Sequence, residues 1–225
     1  NTSISHPRTN THRYFLSEKI YLDIIYFKVQ NITSMKNLDI LKNLLFNPQK
    51  AWLEIEKEPS SLQNILKYQL LVFALFPVAG AFLLDVVIGV EMFEKVYRKP
   101  IITALISSLL YYIAIIMFVF LLALGLKLIA GFFESKVLFI SAFKLINYSI
   151  YPLLIVAILK VIPGTSFLIY IIAIYSVYLF YKGLPILIKN QYEKSIILTT
   201  LMMILLIIVL SVLVVLTELF NNSIP

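Results

Sequence analysis

The chain has no cysteine and only two histidines, His6 and His12, among its 225 residues. The absence of cysteine excludes disulfides, thiolate metal sites and cysteine nucleophiles. The two histidines lie six residues apart in a polar segment, where solvated side chains are far commoner than a metal site. We therefore predict no metal site.

Charged residues are scarce as well. They make up 14% of the chain, against about 25% in soluble proteins, while 60% of the residues are hydrophobic. This composition predicts an integral membrane protein whose main partner is the lipid bilayer. The net charge of +7 fits an anionic lipid surface. No basic run with interleaved aromatics indicates nucleic-acid binding.

Catalytic and nucleotide-binding motifs are also missing. The six glycines are scattered, and none belongs to a Gly-x-x-x-x-Gly-Lys loop of the kind that holds phosphate groups. Intramembrane proteases need a serine with a histidine, two aspartates, or a metal held by histidines and carboxylates. Because the apolar segments contain no histidine, we predict no catalytic residue, no cofactor and no enzymatic activity.

Five apolar runs approach the roughly 20 residues that a helix needs to cross about 30 Å of hydrocarbon. Pro100 opens the second run, and Pro163-Gly164 predicts a tight turn between the third and the fourth. The third run is uncharged only between Lys144 and Lys160, so both lysines are expected to reach outward. The predicted fold is all-α, a polytopic membrane protein with spans at about 68–89, 101–126, 141–162, 165–181 and 195–217.

The basic residues orient these spans. With the N-terminus inside, the inner side collects the lysines of 36–67, 127–144 and 182–194, while the outer side holds only Lys95, Arg98, Lys99 and Lys160. The segment after Thr217 has no Lys or Arg. We therefore predict a cytoplasmic N-terminus and an external C-terminus, in the cytoplasmic membrane if the source is prokaryotic.

The region before the spans divides into two parts. Residues 1–34 have no secretory-type apolar core, and the following Met35 resembles a natural start, so we expect a disordered or misassigned extension. We predict short cytoplasmic amphipathic helices over residues 35–67 and the transmembrane domain over residues 68–220.

In the stretch FNPQKAWLEIEKEPSS, Asn47 caps a helix that opens with Pro48. Trp52 and Ile55 share one side, and Trp52 is the predicted interfacial anchor. The alternative is a docking surface for a protein partner on the cytoplasmic face.

Ionisable and polar groups inside the spans are the remaining site candidates. Asp85 and Lys160 fall at the same depth and predict a structural ion pair, with a proton or ion relay as the alternative. A polar patch in the third span predicts hydrogen bonds between helices, with substrate contact as the alternative. It consists of Asn147, Tyr148, Ser149 and Tyr151.

The order of these features resembles the Yip-domain family, prokaryotic relatives of the eukaryotic Ypt/Rab-interacting membrane proteins. The resemblance rests on Pro48, Ala51-Trp52 and Ile55, followed by LVFALFPVAGAFL, NYSIYPLLIVAILKVIPG and YSVYLFYKGLPILIKNQYEKS. It covers about Leu38 to Leu216. It implies a five-span membrane fold, and its eukaryotic members act in vesicle traffic with Rab-type GTPases. The Asp-Leu-Tyr-Gly-Pro motif of those members is absent here.

These observations predict a non-enzymatic membrane scaffold or adaptor, linked to membrane organisation or trafficking. The alternative function is a small transporter or permease subunit that uses Asp85 and Lys160 as its coupling pair and the prolines Pro77 and Pro152 to break helices around a cavity. A polar cavity at the middle of the bundle would favour the transporter.

Overall fold

Seven helices and one short hairpin make up the described part of the chain. The computed structural model describes residues 39–59, 61–92, 95–133, 137–189 and 192–223. Two short helices come first, α1 (39–46) and α2 (Pro48–Lys57). Five long helices follow: α3 (Leu62–Ile88), α4 (Ile101–Gly131), α5 (Phe139–Val161, with a 3₁₀ end), α6 (Ser166–Leu187) and α7 (Tyr192–Ser223). The strands β1 (Val90–Met92) and β2 (Lys95–Tyr97) join α3 to α4.

The five long helices are each long and apolar enough to cross a membrane. The predicted all-α class and the count of five are therefore confirmed. The helices also continue past the predicted spans, because a helix does not have to end where the hydrocarbon ends. In α6 the helix continues through Gly183 and Pro185 to Leu187, although the sequence predicted a stop at Lys182-Gly183.

Helix α2 forms for the reasons that its sequence gives. The side chain of Asn47 accepts a hydrogen bond from the backbone N–H of Lys50 at 3.3 Å, and Pro48 occupies the first position. The buried side is Ala51, Trp52 and Ile55. The predicted cap at Asn47 and the predicted start at Pro48 are both confirmed.

Helix α3 is irregular and pairs with α5 along most of its length. It contains π-helical turns at Leu66–Leu70 and Leu84–Ile88. The helix is also interrupted by a turn at Ala74. Pro77 has no N–H, so it cannot donate the usual helical hydrogen bond to the Phe73 carbonyl four residues earlier. Gly80 permits the close approach, because a Cβ there would lie 3.0 Å from the Ile158 Cα. Farther toward the N-terminal end of α3, the rings of Phe73 and Tyr151 lie 4.4 Å apart.

Helix α5 lies at the centre of the bundle. Of its most apolar 18-residue stretch, 61% is buried by protein, against 17–28% for the other four helices. Its neighbours are α3, α4 and α6. Polar side chains on α5 are therefore shielded from lipid, which explains how this span can carry a polar patch.

The α3–α4 connection closes with local hydrogen bonds. Strands β1 and β2 are antiparallel, with Val90 opposite Tyr97. Gly89 precedes them at φ +84°, where a Cβ would lie 2.8 Å from the Tyr97 carbonyl oxygen. The backbone N–H of Lys99 donates to the Asp85 carbonyl at 2.9 Å.

The chain divides into the units Asn1–Asp39 and Ile40–Pro225. The extension predicted at residues 1–34 lies outside the described residues. Within the described chain, α3 begins at Leu62, so the last residues of the predicted 35–67 region belong to the first long helix.

Candidate functional site

Trp52 attaches α2 to the bundle. Its side chain is 0% exposed and lies over Gly183 of α6. A Cβ on Gly183 would come within 2.7 Å of the indole Cε2 and 2.8 Å of Cζ2. The indole N–H has no hydrogen-bond partner among the described residues, so packing fixes the ring. The sequence predicted Trp52 as an interfacial anchor, but the structure buries its indole within the protein, because the glycine opens a space for it.

Lys144 of α5 holds the C-terminal end of α2. Its side chain is only 7% exposed, and its Nζ donates to the carbonyl oxygens of Ile55 at 3.1 Å and Glu58 at 2.6 Å. The last carbonyls of a helix lack intrahelical donors and carry partial negative charge, so a lysine there is stabilising. The sequence predicted that Lys144 reaches outward to water. That prediction is wrong because the α2 carbonyls solvate the ammonium group.

Tyr175 of α6 holds the end of α1 in the same way. Its hydroxyl lies 2.8 Å from the Leu44 carbonyl oxygen and 3.1 Å from that of Leu45. The Asn43 side chain also donates to the Glu54 carboxylate at 3.1 Å, which joins α1 to α2. The two helices thus form one structural element, the α1–α2 pair, fixed to α5 and α6.

The other side of the α1–α2 pair is open. At the turn between the helices, Phe46 is 81% exposed and Leu45 is 38% exposed. Farther along α2, Leu53 is 43% exposed among charged residues that are also exposed: Lys50, Glu54, Glu56 and Lys57.

The predicted polar patch lies at the buried centre of α5. Three of its members, Asn147, Tyr148 and Tyr151, are 0% exposed, and Ser149 is 2% exposed. Gln69 of α3, which the sequence analysis missed, donates to the Tyr148 oxygen at 2.6 Å and accepts from the Asn147 amide at 3.4 Å. An amide at the start of an otherwise apolar run was the signal that could have identified Gln69.

The four patch residues do not form one site. Asn147 and Tyr148 contact Gln69 on α3, whereas Ser149 lines a cavity of about 150 Å³ between α4, α5, α6 and α7. Most other residues that line the cavity are apolar. The Asn147 Oδ1, the Ser149 hydroxyl and the Tyr151 hydroxyl are buried without a hydrogen-bond partner in the described part of the chain.

Asp85 pairs with a different lysine from the one predicted. Its carboxylate lies 2.8 Å from the Nζ of Lys99, whose side chain is half exposed. The chain turns back immediately after α3 and brings Lys99 to the end of that helix, so the local partner replaces Lys160. Between Asp85 and Lys160, both of which are described, there is no ion pair within 4.0 Å. The pair closes the α3–α4 connection and lies at the protein surface.

No group of three or more His, Cys, Asp or Glu side chains that could hold a metal occurs within the described ranges. The contacts described above are structural, since they join helices through packing, helix-end carbonyls and neutral hydrogen bonds.

Comparison with known proteins identifies the family. Neither the curated proteins nor the solved structures gave a match. A family model described as the Yip1 domain matches residues 42–215. The match begins within α1 and ends within α7, so it contains α2 with Trp52, the Gly183 position and four long helices in full. The chain is an integral membrane protein that belongs to the Yip1 domain family.

Proposed function

We propose that the chain is a membrane adaptor without enzymatic activity, whose five-helix bundle presents α2 to a protein partner at the cytoplasmic surface. The proposal rests chiefly on the two sides of α2. One side is fixed by Trp52 over Gly183 and by Lys144 at the helix end. The opposite side carries Leu53 among charged residues.

A fixed helix suits recognition because its backbone is already ordered before a partner binds. Binding then does not have to order the segment, a step that would reduce the affinity. Leu53 supplies an apolar contact, and the surrounding charges of both signs supply specificity. The expected partner is a protein with an apolar site bordered by charged groups.

The cytoplasmic location follows from the distribution of Lys and Arg residues along the chain. A reporter active only in the cytoplasm should give signal near Lys189 and none after Pro225. Signal after Pro225 would contradict the proposed orientation.

The transporter alternative has less support. Asp85 pairs with Lys99 at the surface rather than with Lys160. The cavity between α4 and α7 is bordered mainly by apolar side chains, with Ser149, Ser176 and Thr199 as its polar members. A coupling site for an ion or a proton ordinarily uses ionisable groups inside the bundle.

Photocrosslinking in native membranes tests the adaptor proposal. A benzophenone amino acid at Leu53 should give a discrete protein adduct that weakens in a Trp52→Ala background, because loosening α2 removes the ordered surface. The matched control is the same probe at Ile106, an exposed residue of α4, which should give lipid adducts. Lipid adducts alone at Leu53, or the same proteins at both positions, would overturn the proposal.

A further inference from the structure

We propose that the Leu45–Phe46 turn is inserted among the acyl chains of the leaflet on the α2 side of the membrane. These are the last two residues of α1, at its junction with α2, and both side chains are exposed. Phe46 is 81% exposed, the highest value for a large apolar side chain of α1 or α2. This inference goes beyond the adaptor function, which depends on Leu53 and its charged neighbours.

The membrane boundary on this side can be located from α3. Lys67 is the last charged residue before the uncharged run that ends at Asp85. The 18 helical steps from one to the other rise about 27 Å, close to the hydrocarbon thickness of about 30 Å. Lys67 and Asp85 therefore mark the two boundaries.

Contacts between helices show where this boundary falls along α6. Gln69 bonds Tyr148, so Lys67 of α3 lies level with the first turns of α5. Leu145 of those turns contacts Gly183. Gly183 thus lies close to the boundary, in agreement with its charged neighbour Lys182.

Tyr175 lies deeper. It precedes Gly183 by eight residues, or about 12 Å of helix, in the direction away from the charged end of α6. Its hydroxyl contacts the Leu44 and Leu45 carbonyls. The end of α1 therefore lies on the order of 10 Å below the boundary. Amphipathic helices at membrane surfaces insert about 5–10 Å.

The remaining side chains of the pair agree with this depth. The charged residues nearest to Phe46 in the pair lie four positions away on each side: Lys42 of α1, which is exposed, and Lys50 of α2, whose side chain is 61% exposed. A lysine one helical turn below the boundary can place its ammonium group at the headgroups.

Spin-label accessibility tests the inference, and the cysteine-free chain allows one label at a time. The purified protein in phosphatidylcholine vesicles would carry a label at Phe46→Cys, with Leu53→Cys and Ile106→Cys as controls. Collisions with oxygen, which dissolves in hydrocarbon, and with a water-soluble nickel complex report depth. We expect the Phe46 label to favour oxygen and to lie about 5–10 Å below the boundary between headgroups and acyl chains, the Leu53 label to favour nickel, and the Ile106 label to lie deepest.

Two results would overturn the inference. Nickel accessibility at Phe46 equal to that at Leu53 would place the turn in water. An immobilised label shielded from both reagents would show that the turn packs on protein. If cysteine at position 46 disturbs the fold, Phe46→Trp in a Trp52→Phe background gives the same depth through quenching by brominated lipids. Because no partner is present in these vesicles, neither result bears on the adaptor function.

Discussion

Gly183→Ala should loosen α2, and the effect should depend on Trp52. The added Cβ would lie 2.5 Å from Leu145 Cδ1 and 2.7–2.8 Å from two carbons of the indole. The leucine methyl can rotate away, whereas the buried indole is rigid and has no free space. Overpacking of this kind costs about 1–3 kcal/mol, and three contacts below 3 Å place the cost toward the upper end.

Helix α6 stays helical whether α2 is docked or detached, so the preference of a helix for alanine over glycine, about 1 kcal/mol, does not change this equilibrium. The loss in the free energy that holds α2 on the bundle is therefore about 1–3 kcal/mol. In a Trp52→Ala background the clash with the indole is gone, and the same substitution should have little effect on the detachment of α2.

The assay uses the absence of cysteine in the chain. Ala51→Cys places the sole thiol on the buried side of α2, where Ala51 is 0% exposed, so maleimide labels it only when α2 detaches. Gly183→Ala should raise the labelling rate about 5- to 140-fold, since 1.4 kcal/mol corresponds to a factor of ten and the cost is about 1–3 kcal/mol. Gly131→Ala is the matched control, because a Cβ there meets nothing within 4 Å. Equal effects of Gly183→Ala with and without Trp52 would refute the reasoning.

Three further substitutions test the other contacts. Lys144→Met removes the donor to two α2 carbonyls and should raise labelling of the same thiol, whereas Lys182→Met should not; equal rates would contradict the role of Lys144. Gln69→Leu leaves buried polar atoms unpaired and should lower the free energy of unfolding by about 1–3 kcal/mol, measured by denaturation in mild detergent; no loss would argue against the α3–α5 hydrogen bonds. Asp85→Asn should change that free energy by no more than about 1 kcal/mol, since its partner Lys99 is half exposed; a larger loss would indicate a buried role.

The sequence predicted the features that depend on local pattern. Long apolar runs predicted the five spanning helices, and Asn47-Pro48 predicted the start of α2. The buried side of α2, with Trp52 and Ile55, follows from helical spacing. These properties depend on residues that lie close together in the chain, so a single sequence is enough to predict them.

The partners of the site residues could not be predicted in the same way. Trp52 contacts Gly183, 131 positions later, and Lys144 reaches carbonyls of α2. From the sequence alone, a lysine in a span is expected to reach water, and a glycine is expected to end a helix. The first inference fails because another helix supplies carbonyl oxygens to Lys144, and the second because an indole packs on Gly183. Both contacts depend on tertiary packing.

Fluorescence of Trp52, the sole tryptophan, tests most directly whether α2 is fixed by burial of this side chain. In vesicles the account predicts blue-shifted emission that is quenched weakly both by acrylamide in water and by lipids brominated near the headgroup, because the indole is enclosed by protein. Gly183→Ala should increase the quenching by either reagent. Strong quenching of the unmodified protein by the brominated lipids, or red-shifted emission with strong acrylamide quenching, would contradict the account.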